Sequence, residues 1–231
     1  MNYQELQERL SSFLSIDEEK IQKLEKYQSF LLENNKQFNL TSITEPNEML
    51  IKHFYDSLAP LEYLSIENKS VLDFGSGAGF PGLPFAILVP SSKVTLLDAT
   101  RKKCEFLKGV KELLSLENVQ VVHARGEDFK KREHFDVVSA RAVASLPVLL
   151  ELVAPLLKVG GIFLAMKGAN GEKELCESKK ALKTLGLTLK KTEVYELPEE
   201  MGKRVNFLFE KEAPTPKKYP RPYADILKKP L

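Results

Sequence analysis

A glycine-rich stretch lies at residues 71–82, where an apolar run contains Asp73 and glycines then follow at every second position. These glycines are Gly75, Gly77 and Gly79, and Pro81 then suits the first turn of a helix. Glycine has no Cβ and adopts positive φ readily, so such a loop can turn sharply and let its backbone touch a ligand. A helix after the loop presents free N–H groups at its first turn. The stretch therefore predicts the cofactor loop of an α/β enzyme.

A second acidic residue, Asp98, ends the next apolar run, residues 94–97. An acid at the end of that strand can accept hydrogen bonds from both ribose hydroxyls of a cofactor. A dinucleotide site holds a pyrophosphate on its loop and helix, whereas an acid before the glycines suits a cofactor with an amino group. We therefore predict S-adenosylmethionine, with the Asp73 carboxylate holding the amino group directly or through water. Gly77, Gly79 and Gly82 also fit a G-x-G-x-x-G spacing, so a dinucleotide-dependent oxidoreductase remains an alternative.

Composition bounds the class of protein. The 231 residues favour one domain with a small appendage, and 43% hydrophobic with 29% charged residues is ordinary for a soluble globular protein. A net charge of +2 does not by itself imply a nucleic-acid partner. The two cysteines, Cys104 and Cys176, form no metal or redox spacing, so no metal is predicted. The N-terminal residues are too polar for a signal peptide and no apolar run reaches membrane length, which predicts a cytoplasmic protein without a membrane partner.

The hydrophobic pattern changes along the chain. Residues 1–60 predict an N-terminal helical module, in which Ser15 and Glu18 resemble a capping box and Asn34-Asn35 ends the long helix. Residues 61–212 predict the catalytic domain, because strands and helices alternate as in a parallel sheet covered on both faces. The predicted strands are 70–74, 93–97, 119–123, 135–140 and 161–166, and the predicted helices are 82–88, 101–116, 146–157 and 171–185. Two further strands, 187–196 and 205–211, predict an antiparallel pair at the sheet edge, completing an α/β, seven-stranded, Rossmann-like fold typical of S-adenosylmethionine-dependent methyltransferases.

The last segment, residues 213–231, predicts a basic, proline-rich C-terminal tail that is extended rather than packed. One interpretation is an arm that binds RNA phosphates through Lys217, Lys218 and Arg221. The alternatives are a solubilising tail and a strap on the protein's own surface. A second basic run, Lys130-Lys131-Arg132, predicts a solvated turn.

The whole chain resembles one bacterial family, the small-subunit ribosomal RNA guanine-N7 methyltransferases, also called glucose-inhibited division protein B. The resemblance begins at Asn39-Leu40-Thr41-Ser42 and includes the glycine loop. Its other motifs are Pro46-Asn47-Glu48, His53-Phe54-Tyr55-Asp56-Ser57, Asp98-Ala99-Thr100-Arg101-Lys102-Lys103, Arg125-Gly126-Glu127, Ser139-Ala140-Arg141-Ala142, Leu164-Ala165-Met166-Lys167-Gly168 and Thr215-Pro216-Lys217-Lys218-Tyr219-Pro220-Arg221. One local departure is the absence of the family's usual glycine in residues 222–226.

The resemblance implies methyl transfer from S-adenosylmethionine to N7 of one guanine of 16S rRNA in the small ribosomal subunit, with S-adenosylhomocysteine as the product. It implies cofactor contacts at Gly75, Phe80, Ala99, Thr100, Gly126, Glu127 and Arg141. From the residues alone, Gly126 and Glu127 follow a predicted strand where an adenine-facing turn is expected, with an ordinary turn and a solvated helix cap as alternatives. Phe80 and Ala99 are expected to flank the adenine or the methionine arm. Nothing in the sequence indicates an obligate dimer, so we expect a monomer.

No residue stands out as catalytic, which suits this chemistry. Guanine N7 has an available lone pair and no proton to lose, so the enzyme must align the lone pair with the methyl group rather than supply a strong base. The place after the fourth strand reads Ser139-Ala140-Arg141-Ala142, not the Asn/Asp-Pro-Pro-aromatic motif of many amino-group methyltransferases. Neither cysteine is placed to act as a nucleophile on a pyrimidine. A methyltransferase acting on another RNA base or a protein, and an assembly factor without catalysis, remain alternatives.

Three residues are candidates for positioning the target base: Arg141, Lys167 and His53. His53 and Asp56 lie three apart on a predicted helix and are expected to pair and frame the pocket, with a structural helix contact as the alternative. Basic residues at the carboxyl ends of the strands are candidate RNA contacts, with structural ion pairing as the alternative. These candidates are Arg101, Lys102, Arg125 and Lys167, together with Lys217, Lys218 and Arg221 of the tail.

Overall fold

The computed structural model describes all 231 residues, which form a seven-stranded sheet covered by helices on both faces. The strands are β1 (Ser70–Phe74), β2 (Lys93–Asp98), β3 (Val119–His123), β4 (Phe135–Arg141), β5 (Leu157–Lys167), β6 (Leu187–Glu196) and β7 (Lys203–Lys211). Their order is β3-β2-β1-β4-β5-β7-β6, with the first five parallel and β7 antiparallel to both of its neighbours. The predicted α/β sheet and its antiparallel edge are confirmed.

The order of the strands reverses at β1, because the chain runs outward to β3 and then returns to place β4 on the other side of β1. In doubly wound sheets this reversal opens a crevice at the carboxyl ends of the strands, where ligands bind. The glycine loop follows β1, and Arg141 ends β4. The topology therefore brings both segments to the same crevice.

Ten α-helices surround the sheet. They are α1 (Tyr3–Leu10), α2 (Glu18–Phe38), α3 (Pro46–Met49), α4 (Asp56–Leu58), α5 (Gly82–Leu88), α6 (Arg101–Leu113), α7 (Leu146–Val153), α8 (Gly171–Glu177), α9 (Lys179–Leu185) and α10 (Tyr223–Lys228). A π-helical segment, Leu50–Tyr55, joins α3 to α4. The predicted helix 171–185 divides at Ser178, and the predicted helix 101–116 ends earlier, at Leu113. No helix combines the length and the apolar character that crossing a bilayer requires.

The N-terminal helices share a hydrophobic core with the sheet, since Leu6, Leu24 and Val71 belong to one cluster. Within it, α2 packs on α5 and α6, and α1 packs on the π-helical segment. The predicted capping box at Ser15 is wrong. The carboxylate of Asp17 instead accepts the Lys20 N–H at 2.9 Å and caps α2. The predicted end of α2 at Asn34-Asn35 is also wrong, because Asn35 faces inward and bonds the backbone of Thr41 while the helix runs on. The boundary near residue 60 stays a prediction.

The C-terminal tail is packed, and the prediction of an extended segment is wrong. Thr215, Tyr219 and Ile226 are buried, and Tyr219 and Ile226 belong to the hydrophobic cluster that contains β5 and α7. Because Tyr219 and Ile226 are largely apolar, burying them on the domain outweighs leaving the segment in solvent. The structure therefore corresponds to the strap interpretation.

Candidate active site

The glycine loop turns immediately after β1. Gly75, Gly77 and Gly79 all have positive φ, which L side chains rarely adopt. The N–H groups of Gly75 and Ser76 donate to the carbonyl of Leu97 at 2.8 and 3.0 Å, which fixes the loop to the end of β2. Gly79 is a packing requirement, because a Cβ there would lie 2.4 Å from a methyl of Leu83.

Asp73 supports the loop from inside the protein. Its side chain is fully buried and accepts hydrogen bonds from the Gly82 N–H at 3.0 Å and from the Ser139 hydroxyl at 3.4 Å. Burial raises the pKa of this carboxyl to about 6, although the Gly82 hydrogen bond opposes the shift. The structure thus gives Asp73 the role of holding the start of α5. Its predicted hold on a cofactor amino group, directly or through water, stays a prediction.

Asp98 faces the crevice at the end of β2. Its two carboxylate oxygens accept the Gly77 N–H at 2.9 Å and the Thr100 N–H at 2.7 Å. These bonds orient the carboxylate, and each oxygen keeps a lone pair for a further donor. Thr100 and Gly77 therefore position Asp98, whose carboxylate can accept further hydrogen bonds from a ligand in the crevice.

A cavity of about 380 Å³ opens beside Asp98, and we call it the cofactor cavity. Its volume lies within the range of small-molecule sites. Five of the predicted cofactor residues line it: Gly75, Asp98, Ala99, Gly126 and Glu127. The remaining lining residues are Phe74, Leu97, Lys103, Ala124, Arg125, Ala142, Val143, Leu152 and Tyr223. Gly126 is required for space, because a Cβ there would lie 2.1 Å from the ring of Phe74.

A second cavity, of about 590 Å³, lies next to the first, and we call it the basic cavity. Its lining includes Arg141, Lys167 and His53, the three candidates for positioning the base, and also Lys52 and Arg204. Sequence reasoning missed Lys52 and Arg204, because no motif marks either residue. The other lining residues are Ile43, Asp56, Ala142, Val143, Ala144, Ser145, Met166, Gly168 and Glu174.

The two cavities meet at Ala142 and Val143, which line both. Ala142 has φ +56°, a conformation that is uncommon for alanine and concentrates at functional sites. The ammonium group of Lys167 holds this loop by donating to the Ala144 carbonyl at 2.6 Å, and it also pairs with Glu174 at 2.9 Å. Lys167 is mostly buried, so it shapes the loop between the cavities.

Asp56 anchors the floor of the basic cavity. Its carboxylate accepts hydrogen bonds from Arg141 at 3.4 Å, from Arg204 at 3.1 Å and from the Tyr195 hydroxyl at 3.1 Å. These partners come from β4, β7 and β6, so one buried carboxylate aligns three strands. The predicted pair between His53 and Asp56 is absent, and each residue instead contacts Arg141.

His53 is a neutral hydrogen-bonding residue in this site. Arg141 cannot accept a hydrogen bond, so its contact at 3.1 Å makes Nδ1 of His53 the acceptor. Nε2 then carries the proton and donates to the Thr41 hydroxyl at 2.8 Å. Burial first, and the Arg141 charge second, lower the pKa of His53 to about 3. His53 is therefore uncharged near neutral pH and poorly suited to accept a proton.

Phe80 lies behind His53, and its predicted contact with a cofactor stays a prediction. Its ring stacks on His53 with centroids 4.5 Å apart and on Tyr27 at 5.2 Å, and the Arg141 guanidinium lies 5.2 Å from its centroid. Phe80 is buried and lines neither cavity. The Phe80 ring therefore packs against both Arg141 and His53 and helps to hold them in position.

The candidate RNA residues fall into two groups. Arg101, Lys102 and Arg125 are exposed, as are Lys217 and Lys218 on the tail, and Arg125 lines the cofactor cavity. Arg101 and Arg125 stay largely exposed and form only long ion pairs with Glu105 and Glu127, at 3.8 and 3.9 Å. Lys167 and Arg221 instead form close ion pairs with Glu174 and Glu151, at 2.9 and 2.6 Å. The structure thus leaves the first group available to a polyanion.

The buried carboxyl of Asp73 predicts a pH-dependent stability. Unfolded aspartate titrates near pH 3.9, so between about pH 4 and pH 6 the folded protein binds more protons than the unfolded chain. The free energy of unfolding should therefore fall as the pH rises through this window.

We expect Asp73→Asn to flatten this dependence of the unfolding free energy on pH, because asparagine does not titrate and can still accept a hydrogen bond from Gly82 and donate one to Ser139. Denaturant unfolding of both proteins at pH 4 to 7 measures this dependence, and Asp225→Asn, at an exposed position, is the control. A variant profile parallel to wild type would contradict this role.

The fold and the paired cavities define a class of protein. A solved structure of 1,6-didemethyltoxoflavin-N1-methyltransferase from Burkholderia thailandensis, with bound 1,6-didemethyltoxoflavin and S-adenosylhomocysteine, superposes with a TM-score of 0.59. It is 15% identical, and the match covers 82% of this chain and 90% of that chain. The architecture is therefore the Rossmann-like fold of the S-adenosylmethionine-dependent methyltransferases.

Sequence comparison is more specific. The family model for rRNA small subunit methyltransferase G (GidB) matches residues 20–201. A ribosomal RNA small subunit methyltransferase G from Desulfitobacterium hafniense (strain Y51) is 48% identical over 97% of this chain and 94% of its own length. One from Staphylococcus aureus (strain bovine RF122 / ET3-1) is 45% identical over 94% of this chain and 93% of its own. The chain belongs to the rRNA small subunit methyltransferase G family.

Proposed function

We propose that this chain transfers the methyl group of S-adenosylmethionine to N7 of one guanine of 16S rRNA. The observation that carries the proposal is the meeting of the two cavities at Ala142 and Val143. The cofactor cavity has a carboxylate suited to ribose, and the basic cavity has an excess of cationic side chains suited to RNA. A methyl group bound at one side of this junction can face a base bound at the other.

The residues of the cofactor cavity fit S-adenosylmethionine. Asp98 is held with free lone pairs toward the cavity, and the absence of a side chain at Gly75 and Gly126 lets Val143 and Phe74 of the cavity wall pack against the backbone. When bound there, S-adenosylmethionine supplies an electrophilic methyl group on a sulfonium. Asp98 would hold the ribose hydroxyls, and Gly126 with Glu127 would border the adenine.

The basic cavity offers positioning rather than proton transfer. His53 has its pKa lowered to about 3 and both ring nitrogens engaged, so it does not act as a base near pH 7. Arg141 and Lys167 are held by neighbours on one side and line the cavity on the other. Guanine N7 needs no deprotonation, so a cavity that orients the base without a general base suits this atom. Methylation of an exocyclic amino group is the alternative that such a site supports less well.

Mapping the methylated base tests the proposal. The purified protein is incubated with methyl-labelled S-adenosylmethionine and small ribosomal subunits from cells that lack the enzyme. We expect label on a single guanine at N7. Naked 16S rRNA and assembly intermediates, tested in parallel, identify the preferred substrate. Label on another atom or base, or no label on any of the three substrates, would overturn the proposal.

The exposed arginine and lysine at the start of α6 give a salt-dependent prediction. We expect the double variant Arg101→Ala/Lys102→Ala to bind rRNA more weakly and to reduce the slope of log affinity against log salt by about 1.4, since each phosphate contact to single-stranded RNA contributes about 0.7. Lys69→Ala/Lys93→Ala, at the amino ends of β1 and β2 and so at the end of the strands opposite α6, is the control with the same loss of charge and should leave the slope unchanged. Equal slopes for all three proteins would exclude these residues from the interface.

We also propose that the chain acts as a cytoplasmic monomer, without a metal ion. In this view residues 1–60 and 61–212 bind the substrate together, because α2 and the sheet share one core. Light scattering with and without small subunits tests the stoichiometry, and a self-associated protein would contradict it. Full activity in the presence of a chelator would support catalysis without a metal.

A further inference from the structure

The C-terminal tail, residues 213–231, is attached to the domain by a buried ion pair. Glu151 of α7 is fully buried, and Arg221 is its partner. The Arg221 guanidinium donates to both carboxylate oxygens at 2.8 and 2.6 Å, and its backbone N–H donates to one of them at 2.9 Å. Two parallel hydrogen bonds of this kind fix the orientation of the guanidinium relative to the carboxylate as well as the distance between them. The tail therefore has one defined position on α7.

A second attachment joins the tail to the segment between β3 and β4. Arg132 donates to the Tyr219 carbonyl at 2.6 Å and to the Thr215 carbonyl at 3.0 Å. Residues 130–132 are exposed and Arg132 lies in a turn, as predicted, but its guanidinium also binds the tail. The same segment begins with Gly126 and Glu127, which line the cofactor cavity. The tail is thus tied to both elements that border one side of this cavity.

Tyr223, two residues after Arg221, lines the cofactor cavity together with Leu152 of α7. Its side chain is half-buried and packs against the hydrophobic cluster that contains Leu152. Ile226, one turn later on α10, is fully buried and holds the helix in place. The tail thereby supplies a second aromatic side chain to the cavity wall, beside Phe74 of β1.

We propose that Tyr223 is a cofactor-binding residue that contacts the adenine base, so that the packed tail forms one wall of the cofactor site. This rests on the proposed function, which places S-adenosylmethionine in the cavity. Asp98 marks the ribose end, and the apolar wall of Ala124, Leu152 and Tyr223 suits the flat, weakly polar faces of a purine. The ion pair between Arg221 and Glu151 acts as the positioning contact for Tyr223.

Calorimetric titration with S-adenosylhomocysteine and with adenosine tests this role. We expect Tyr223→Ala to raise the Kd of both ligands by about tenfold, the order expected for loss of an aromatic contact and its buried area. Tyr223→Phe should bind within about twofold of wild type, because the ring remains. Leu227→Ala, on the exposed face of the same helix, should bind as wild type does. Melting temperatures of the unliganded variants check that each one is folded.

Each outcome has a consequence for the proposal. Unchanged affinity of folded Tyr223→Ala for S-adenosylhomocysteine would overturn it, and so would weakened binding of S-adenosylhomocysteine with unchanged binding of adenosine. Failure of the wild-type protein to bind either ligand would overturn both this inference and the proposed function. Normal binding by wild type, with the expected loss in Tyr223→Ala but no methylation of rRNA, would support Tyr223 while rejecting the proposed substrate.

Discussion

Arg141→Ala should lower the rate of methyl transfer to the small subunit by about 100-fold, with little change in the affinity for S-adenosylhomocysteine. Arg141 lines the basic cavity and not the cofactor cavity, so its loss should affect the placement of the base. A misplacement of about 1 Å is enough to reduce a rate by this factor. Single-turnover kinetics with saturating cofactor measure the effect directly.

The position of Arg141 explains this large effect. Its guanidinium donates to the Lys52 carbonyl at 3.0 Å, to Asp56 at 3.4 Å and to His53 at 3.1 Å. These contacts leave Nε–H and one Nη2 proton, out of five N–H groups, for a ligand. The side chain is thus held in one orientation before the RNA arrives, which is how a positioning residue accelerates a reaction.

Two controls separate this role from a structural one. In Arg141→Ala the Asp56 carboxylate keeps Arg204 and Tyr195 as partners, so the variant should remain folded. Arg141→Lys keeps the charge but loses the planar fork, and it should recover only part of the rate. Full activity of a folded Arg141→Ala variant would exclude the residue from the reaction. A loss of rate matched by an equal loss of cofactor affinity would assign it to cofactor binding instead.

Arg221→Ala should destabilise the folded protein by about 3–5 kcal/mol, because it leaves the Glu151 carboxylate buried without its ionic partner. For a domain of this size that corresponds to a fall in the melting temperature of roughly 10 °C. The effect is large beside the 5–15 kcal/mol that stabilises a typical domain. Thermal and denaturant unfolding of the unliganded protein measure it.

Replacing Glu151, the other member of the ion pair, should lower the free energy of unfolding by less than Arg221→Ala does. In Glu151→Gln the side-chain oxygen can still accept from Arg221, and the guanidinium, which is 27% exposed, can turn toward water. We therefore expect a loss of about 1–3 kcal/mol, the range for one disrupted hydrogen bond to a buried group. Lys228→Ala, at an exposed position of α10, should change stability by less than about 0.5 kcal/mol. Equal costs for Arg221→Ala and Glu151→Gln would show that the buried carboxylate is not what the arginine stabilises.

The sequence by itself determined the order and the type of the elements. The predicted strands at 70–74 and 119–123 and the predicted helix at 82–88 have the bounds found in the structure. Apolar runs bounded by glycine, proline or acidic residues leave few choices of boundary, and alternation of strands and helices leaves few topologies. The same reasoning placed Asp98, Gly126 and Glu127 at the crevice, because each follows a parallel strand at its carboxyl end.

Only the tertiary structure decided which side chains face the site. Asp73 and Asp98 are both acids at strand ends, yet Asp73 turns inward to α5 and Asp98 faces the cavity. Asp56 meets Arg141 and Arg204, and Glu151 meets Arg221, across separations of 70 to 148 residues. Local sequence patterns encode the propensity and periodicity of single elements. Such ion pairs form only in the assembled fold, because a charge buried there needs an oppositely charged partner at the right position. The place of Tyr223 in the cofactor wall follows from that same packing of the tail.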